Sequence, residues 1–111
     1  MQLLRYANRR RRHKTFGGER MNASDRRKVE NLSKIAQTTL AILEEMRTTV
    51  EEMAENEEAK FDNMCERGLE SSPMGEAIEK AMEALQEAYS EIDEAHSSLE
   101  SAIIVLDEVS E

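Results

Sequence analysis

Toward the C-terminus, Ile78, Leu85, Ile92, Leu99 and Leu106 recur every seven residues, and Ala81, Ala88, Ala95, Ala102 and Val109 keep the same interval beside them. An interval of seven holds side chains on one stripe of a helix, the seam of a coiled coil. Small Ala beside large Leu and Ile lets a second helix approach closely. Upstream, Val29, Leu32, Ala36, Thr39, Leu43, Met46, Val50 and Met53 alternate in steps of three and four, and Phe61 and Met64 resume the pattern after Glu57. This predicts a first amphipathic helix over about residues 25–66 and a second over about 73–109.

The ends of both helices carry stop and start chemistry. Ser24 or Asp25 is suited to cap the first helix, and Arg67-Gly68 to stop it, since Gly adopts the left-handed backbone without a Cβ penalty. Ser72 caps the second helix and Pro73 takes its first position, where no N–H partner is needed. A turn over 67–72 is too short to let the helices run anything but antiparallel. Centred near residue 69 or 70, it pairs residues whose numbers sum to about 139. Phe61 then lies near Ile78, Met53 near Leu85, Met46 near Ile92, Leu43 near His96 and Leu32 near Leu106, with Lys60 meeting Glu79 at the rim. Phe61 is expected to pin the base of the second helix near Ile78 and Met82, and Asp62 and Asn63 to bond the turn amides.

The expected fold class is all-α, an antiparallel helical hairpin of two long coiled-coil-like helices. Two helices share one seam and enclose little core. Ile35, Leu40 and Ile42 lie beside the seam of the first helix, and Ile104 and Val105 beside that of the second. The antiparallel register gathers all five at the end away from the turn. One helix pair cannot cover them, so this end is expected to pack against a second copy, giving a four-helix dimer, or against another protein.

Charge divides the 111-residue chain in two. Residues 1–28 hold ten basic and two acidic residues, and the remainder holds five and twenty-two, so a net +8 precedes a net −17. Residues 1–22 read as a basic flexible arm jointed at Gly17-Gly18, and 23–111 as the acidic hairpin. The lone Cys65 excludes an intrachain disulfide and fits a reducing, cytoplasmic compartment. The longest apolar run, residues 102–106, is far too short to cross a membrane, and no secretory signal pattern is present.

Catalytic chemistry finds little support. Asp93 and His96 stand three apart, the spacing of half a di-iron motif, but no second pair exists and the bland reading is a partly buried histidine. Cys65 has no histidine nearby in sequence. The methionines at helical spacing read as adaptable packing rather than metal ligands. Neither enzyme activity, cofactor, metal nor small-molecule substrate is therefore expected. Arg9, Arg10, Arg11, Arg12 and Lys14, flanked by Tyr6 and Phe16, form the one block suited to clamp phosphates, so nucleic-acid contact is assigned to the arm alone.

The stretch from Phe61-Asp62-Asn63-Met64-Cys65-Glu66 through Ser71-Ser72-Pro73-Met74-Gly75-Glu76 into the heptad helix resembles small acidic helical proteins encoded in bacteriophage and prophage genomes. That group carries a Phe-Asp-Asn-aliphatic-Pro-Glu segment, a Ser-rich turn and a helix of Ile, Leu and Ala heptads. The resemblance covers about residues 22–111. Cys65 stands where Pro is usual, and Pro73-Met74 replaces a charged pair. It implies a phage-encoded protein of the host bacterial cytoplasm and assigns no functional residue.

Three functional readings follow. The first is a self-associating, non-enzymatic interaction protein working through Ile35, Leu40, Ile42, Ile104 and Val105, with a second copy or a host protein as partner. The second is an acidic decoy for a host nucleic-acid-binding or defence protein, carried by Glu44, Glu51, Glu55 and Glu58. The third is nucleic-acid binding through the arginine-rich arm.

Overall fold

The computed structural model describes residues 21–110. It contains two helices, α1 (Ala23–Glu66) and α2 (Pro73–Ser110). They fold back on one another as an antiparallel hairpin about 70 Å long. The all-α hairpin expected from the apolar periodicity is the observed fold.

α1 begins two residues earlier than its charge pattern suggests. Asn22 is the cap: its side-chain oxygen accepts from the Asp25 amide at 2.8 Å, and its carbonyl accepts from the Arg26 amide. Asp25 instead sits in the first turn, where its charge faces the positive helix end. At the other end Gly68 takes φ +68°. The Leu69 amide reaches the Met64 carbonyl and the Gly68 amide reaches the Cys65 carbonyl, so the last α1 carbonyls are satisfied inside the turn. Ser72 then opens α2, with its hydroxyl donating to the Leu69 carbonyl and accepting from the Gly75 amide. The turn amides are thus held by backbone carbonyls and Ser72, rather than by the side chains of Asp62 and Asn63. Gly75 is buried against the turn, and a Cβ there would collide with the carbonyl oxygens of Leu69 and Glu70.

The seam of α2 contains the predicted Ile78, Leu85, Ile92, Leu99 and Leu106. Its companion row is Met82, Tyr89, His96 and Ile103, one residue beyond the alanine row read from sequence. α1 shows the same displacement. Val29, Ala36, Leu43, Val50, Phe61 and Met64 face inward as expected, joined by Ser33, Leu40, Arg47 and Ala54 rather than by Leu32, Thr39, Met46 and Met53. Leu40 is therefore a half-buried seam residue and not part of a surplus patch. No side chain among the described residues is fully enclosed, as a single seam between two helices dictates.

Polar residues inside the seam reach across to fix the register. Ser33 donates to Asp107 at 2.7 Å, Arg47 to Asp93 at 2.7 Å, and His96 Nε2 faces Glu44 Oε1 at 3.0 Å. The two numbers in each of these pairs sum to 140, one away from the value expected from the turn. Tyr89 and Glu51, whose numbers also sum to 140, face one another closely enough for the carboxylate to raise the phenol pKa. Lys60 does not meet Glu79 and pairs within its own helix with Glu57 at 3.0 Å. Lys60 precedes the inner residue Phe61 while Glu79 follows the inner residue Ile78, which puts the two on opposite sides of the hairpin.

Candidate functional site

The cross-helix pairs also define the two broad sides of the molecule. In each, an inner residue of one helix meets the residue immediately following an inner position on the other: Glu44 after Leu43, Glu51 after Val50, Asp93 after Ile92, Asp107 after Leu106. At about 100° per residue, positions just after the seam of both helices line one side, and positions just before it line the other. One residue of offset therefore decides which side a residue joins.

The side after the seam is acidic. It carries Glu30, Glu44, Glu51, Glu55 and Glu58 from α1, and Glu79, Asp93, Glu100 and Asp107 from α2. Several of these carboxylates are engaged. Asp93 holds the Arg47 guanidinium, raising its pKa above the ordinary value chiefly through their hydrogen bond. His96 is buried between two of them, with Nδ1 3.3 Å from Glu100 and Nε2 3.0 Å from Glu44. These carboxylates lie at opposite edges of the ring and cannot converge on one ion. Among the described residues no group of three or more His, Cys, Asp or Glu is arranged to hold a metal. Asp93, the sequence candidate for a ligand beside His96, is turned to Arg47 instead.

The side before the seam is apolar. α1 presents Leu32, Ile35, Ile42, Met46 and Met53, each at least 45% exposed, with Thr39 and Thr49 between them. Beside them α2 presents Ala88, Ala95, Ala102, Val105 and Val109, with Ser98 and a single charge, Glu91. From residue 32 to residue 53 the α1 positions just before the seam are uncharged, and Glu45 stands at the outer rim of the face. A shallow hollow opens in it, lined by Ile42, Glu45, Met46, Thr49 and Val50.

The five residues singled out from sequence thus separate. Ile35, Ile42 and Val105 share the apolar face. Leu40 lies in the seam. Ile104, 60% exposed, follows the inner Ile103 and falls on the acidic side. Leu32, Met46 and Met53 belong to the apolar face, although their spacing alone places them in the seam. The signal that separates the two rows is the run of polar inner positions Ser33, Arg47 and His96, each with a complementary partner at a sum of 140.

Cys65 is exposed at the end of α1, yet partial shielding, followed by the carboxylates of Glu70, Asp62 and Glu79, pushes its thiol pKa up. That opposes activation as a nucleophile. Arg9–Arg12 and Lys14 lie outside the described residues. No helix among the described residues is long and apolar enough to cross a membrane. No protein-family model, curated protein or solved structure matches the chain.

Proposed function

We propose that this protein is a non-enzymatic protein–protein interaction module whose working surface is the apolar face of the hairpin. The observation that carries the reading is the row Leu32, Ile35, Ile42, Met46 and Met53, all substantially exposed on a side whose facing stretch of α2 bears one charge. A contiguous apolar surface of this kind marks a protein contact far more often than a solvated surface. The resemblance of residues 22–111 to phage-encoded helical proteins adds the setting, a bacterial cytoplasm with the module acting on itself or on a host protein.

The test places a photo-crosslinking residue at position 42, on the apolar face, or at position 100, on the acidic face, of the full chain expressed in bacteria. Covalent protein adducts are expected from position 42 and not from position 100. Absence of adducts at 42, with the chain folded, rejects the module.

A second reading rests on a different observation, the convergence of carboxylate rows from both helices on the opposite side. Glu44, Glu51, Glu55 and Glu58 carry the α1 share of that charge, and the reading makes this side a mimic of nucleic-acid charge aimed at a nucleic-acid-binding protein. Reversing those four charges abolishes inhibition of such a target if the reading holds, and leaves it intact if the apolar face does the work.

A further inference from the structure

Resting on the reading of the apolar face as the working surface, we infer that its occupant is a second copy of this chain, stacked face to face with both turns at the same end. Helix α1 of each copy then lies on helix α2 of the other, and the four helices form a bundle.

Size, charge and shape each point to this occupant. The face runs from Leu32 to Met53, about 32 Å at about 1.5 Å per residue, and is two helices wide, about 20 Å. That is on the order of 600–700 Å² before side-chain relief, close to the ~800 Å² each partner buries in a stable complex. Two acidic bodies repel through the side bearing Glu44, Glu51, Asp93 and Asp107, and meet with little repulsion only through the side that lacks such rows.

Shape selects the arrangement. An interface between two identical copies needs a self-complementary surface. Over the half of the face nearer the turn, α1 contributes Ile42, Met46 and Met53 and α2 contributes Ala88, Ala95 and Ser98, so the face fits its own copy when large lies over small. A two-fold axis parallel to the hairpin produces that overlap without sliding one copy along the other. The numbers that sum to about 140 within one chain also do so between copies, because such an axis leaves height along the rod unchanged. Met46 then meets Ala95 of the second copy, Met53 meets Ala88, and Thr39 meets Ala102. The alternative axis, across the rod, stacks α1 on α1 and α2 on α2. Leu, Ile and Met would hold one helix pair apart while the alanines drew the other together, and the two hairpins would splay.

Cys65, the only cysteine of the chain, reports the arrangement without any substitution. Sedimentation equilibrium of the full chain is expected to give twice 12.7 kDa. Spin labels on Cys65 are expected about 20–35 Å apart, given a helix spacing of about 8–10 Å in each layer. A label distance beyond about 60 Å places the turns at opposite ends and overturns the arrangement. A single-chain mass at high micromolar concentration overturns the second copy as occupant.

Two variants attack the interface from its two sides. Ile42→Asp acts on the large row and Ala95→Arg on the small row. Each is expected to halve the mass with helical circular dichroism retained, while Glu83→Gln, away from this face, leaves the mass doubled. If both face variants stay dimeric, the proposal is wrong, and if one loses its fold, the other still decides. The crosslinker at position 42 separates this inference from the broader reading. An adduct of twice the chain mass supports it. Adducts only with a different protein overturn the second copy and leave the interaction module standing.

Discussion

Ile42 and Glu44 flank the same inner residue, Leu43, and end on opposite broad sides of the hairpin. The two sides differ in what they do for the fold. On the acidic side Glu44, Asp93 and Asp107 each pair with a polar seam residue of the opposite helix, so that side is tied to the register. Among the polar contacts of the described residues, none crosses between helices on the apolar side. The carboxylates, which look like surface solubilisers, help hold the hairpin. The Leu, Ile and Met row, which looks like core, contributes little to it and remains free to meet a neighbour.

The largest expected effect separates the seam from both sides. Ile103 is buried and Ile104, beside it, is open to water. Ile103→Ala is expected to lower unfolding free energy by about 2–4 kcal/mol, as deletion of a buried aliphatic group does. Ile104→Ala is expected to stay within about 0.5 kcal/mol, as exposed substitutions do. Urea unfolding of the two variants side by side measures the contrast, and equal losses would mean that α2 is rotated from the orientation described.

Next in size is the turn that fixes how α2 is rotated against α1. Gly75→Ala drives a methyl group into the carbonyls of Leu69 and Glu70. The expected loss exceeds about 1 kcal/mol, since the new residue does not fit the native backbone. Gly68→Ala is strained for a separate reason, its positive φ with open space around it. A Gly75→Ala protein as stable as the parent would show that the α2 entry tolerates movement, and with it the placement of both sides.

The direct comparison of the two sides inverts what apolarity alone would suggest. Glu44→Ala leaves a buried ring nitrogen of His96 without its carboxylate, which costs about 1 kcal/mol or more. Ile42→Ala removes apolar surface that is already wet, and in dilute protein is expected to change stability by no more than about 0.5 kcal/mol. Its effect should grow with protein concentration, because binding of a second copy stabilises the folded chain by mass action. Denaturation of both variants at low and high micromolar protein checks this. A concentration-independent Ile42→Ala would remove the distinction between a free face and a covered one.

This inversion also explains which parts of the molecule were legible in the sequence. Both helices, the Gly68 stop, the Ser72-Pro73 start and the register could be read because each rests on local chemistry or on chain connectivity. The identity of the inner row could not be read by counting apolar residues. In α1 the steps through Leu32, Thr39, Met46 and Met53 compete with those through Ser33, Leu40, Arg47 and Ala54, and the first set is the more apolar in its variable half. The second set wins because Ser33 and Arg47 find Asp107 and Asp93 across the seam, a long-range match that a periodicity does not contain. Two interleaved apolar rows on one helix are what a bundle with two contacts per helix requires. The row displaced from the seam is therefore the one available for a second contact.

The smallest expected effect tests whether the acidic side is coupled to the seam at high pH. Tyr89 sits in the inner row, and burial, followed by the charge and hydrogen bond of Glu51, raises its phenol pKa above the ordinary value. The folded chain therefore holds the phenol proton more tightly than the unfolded chain. Above the unfolded value of about 10 the unfolded state binds fewer protons than the native state, so stability falls as pH rises. Tyr89→Phe removes that proton linkage and leaves the ring in the seam. Between about pH 9.5 and 11 the thermal midpoint of the parent is expected to fall more steeply than that of Tyr89→Phe, with lysine titration common to both. The difference should shrink in high salt, which screens the repulsion between tyrosinate and Glu51 but leaves burial of the ring untouched. Parallel curves for the two proteins would mean that Tyr89 titrates as a free phenol, and that the acidic side is joined to the seam only through Ser33, Arg47 and His96.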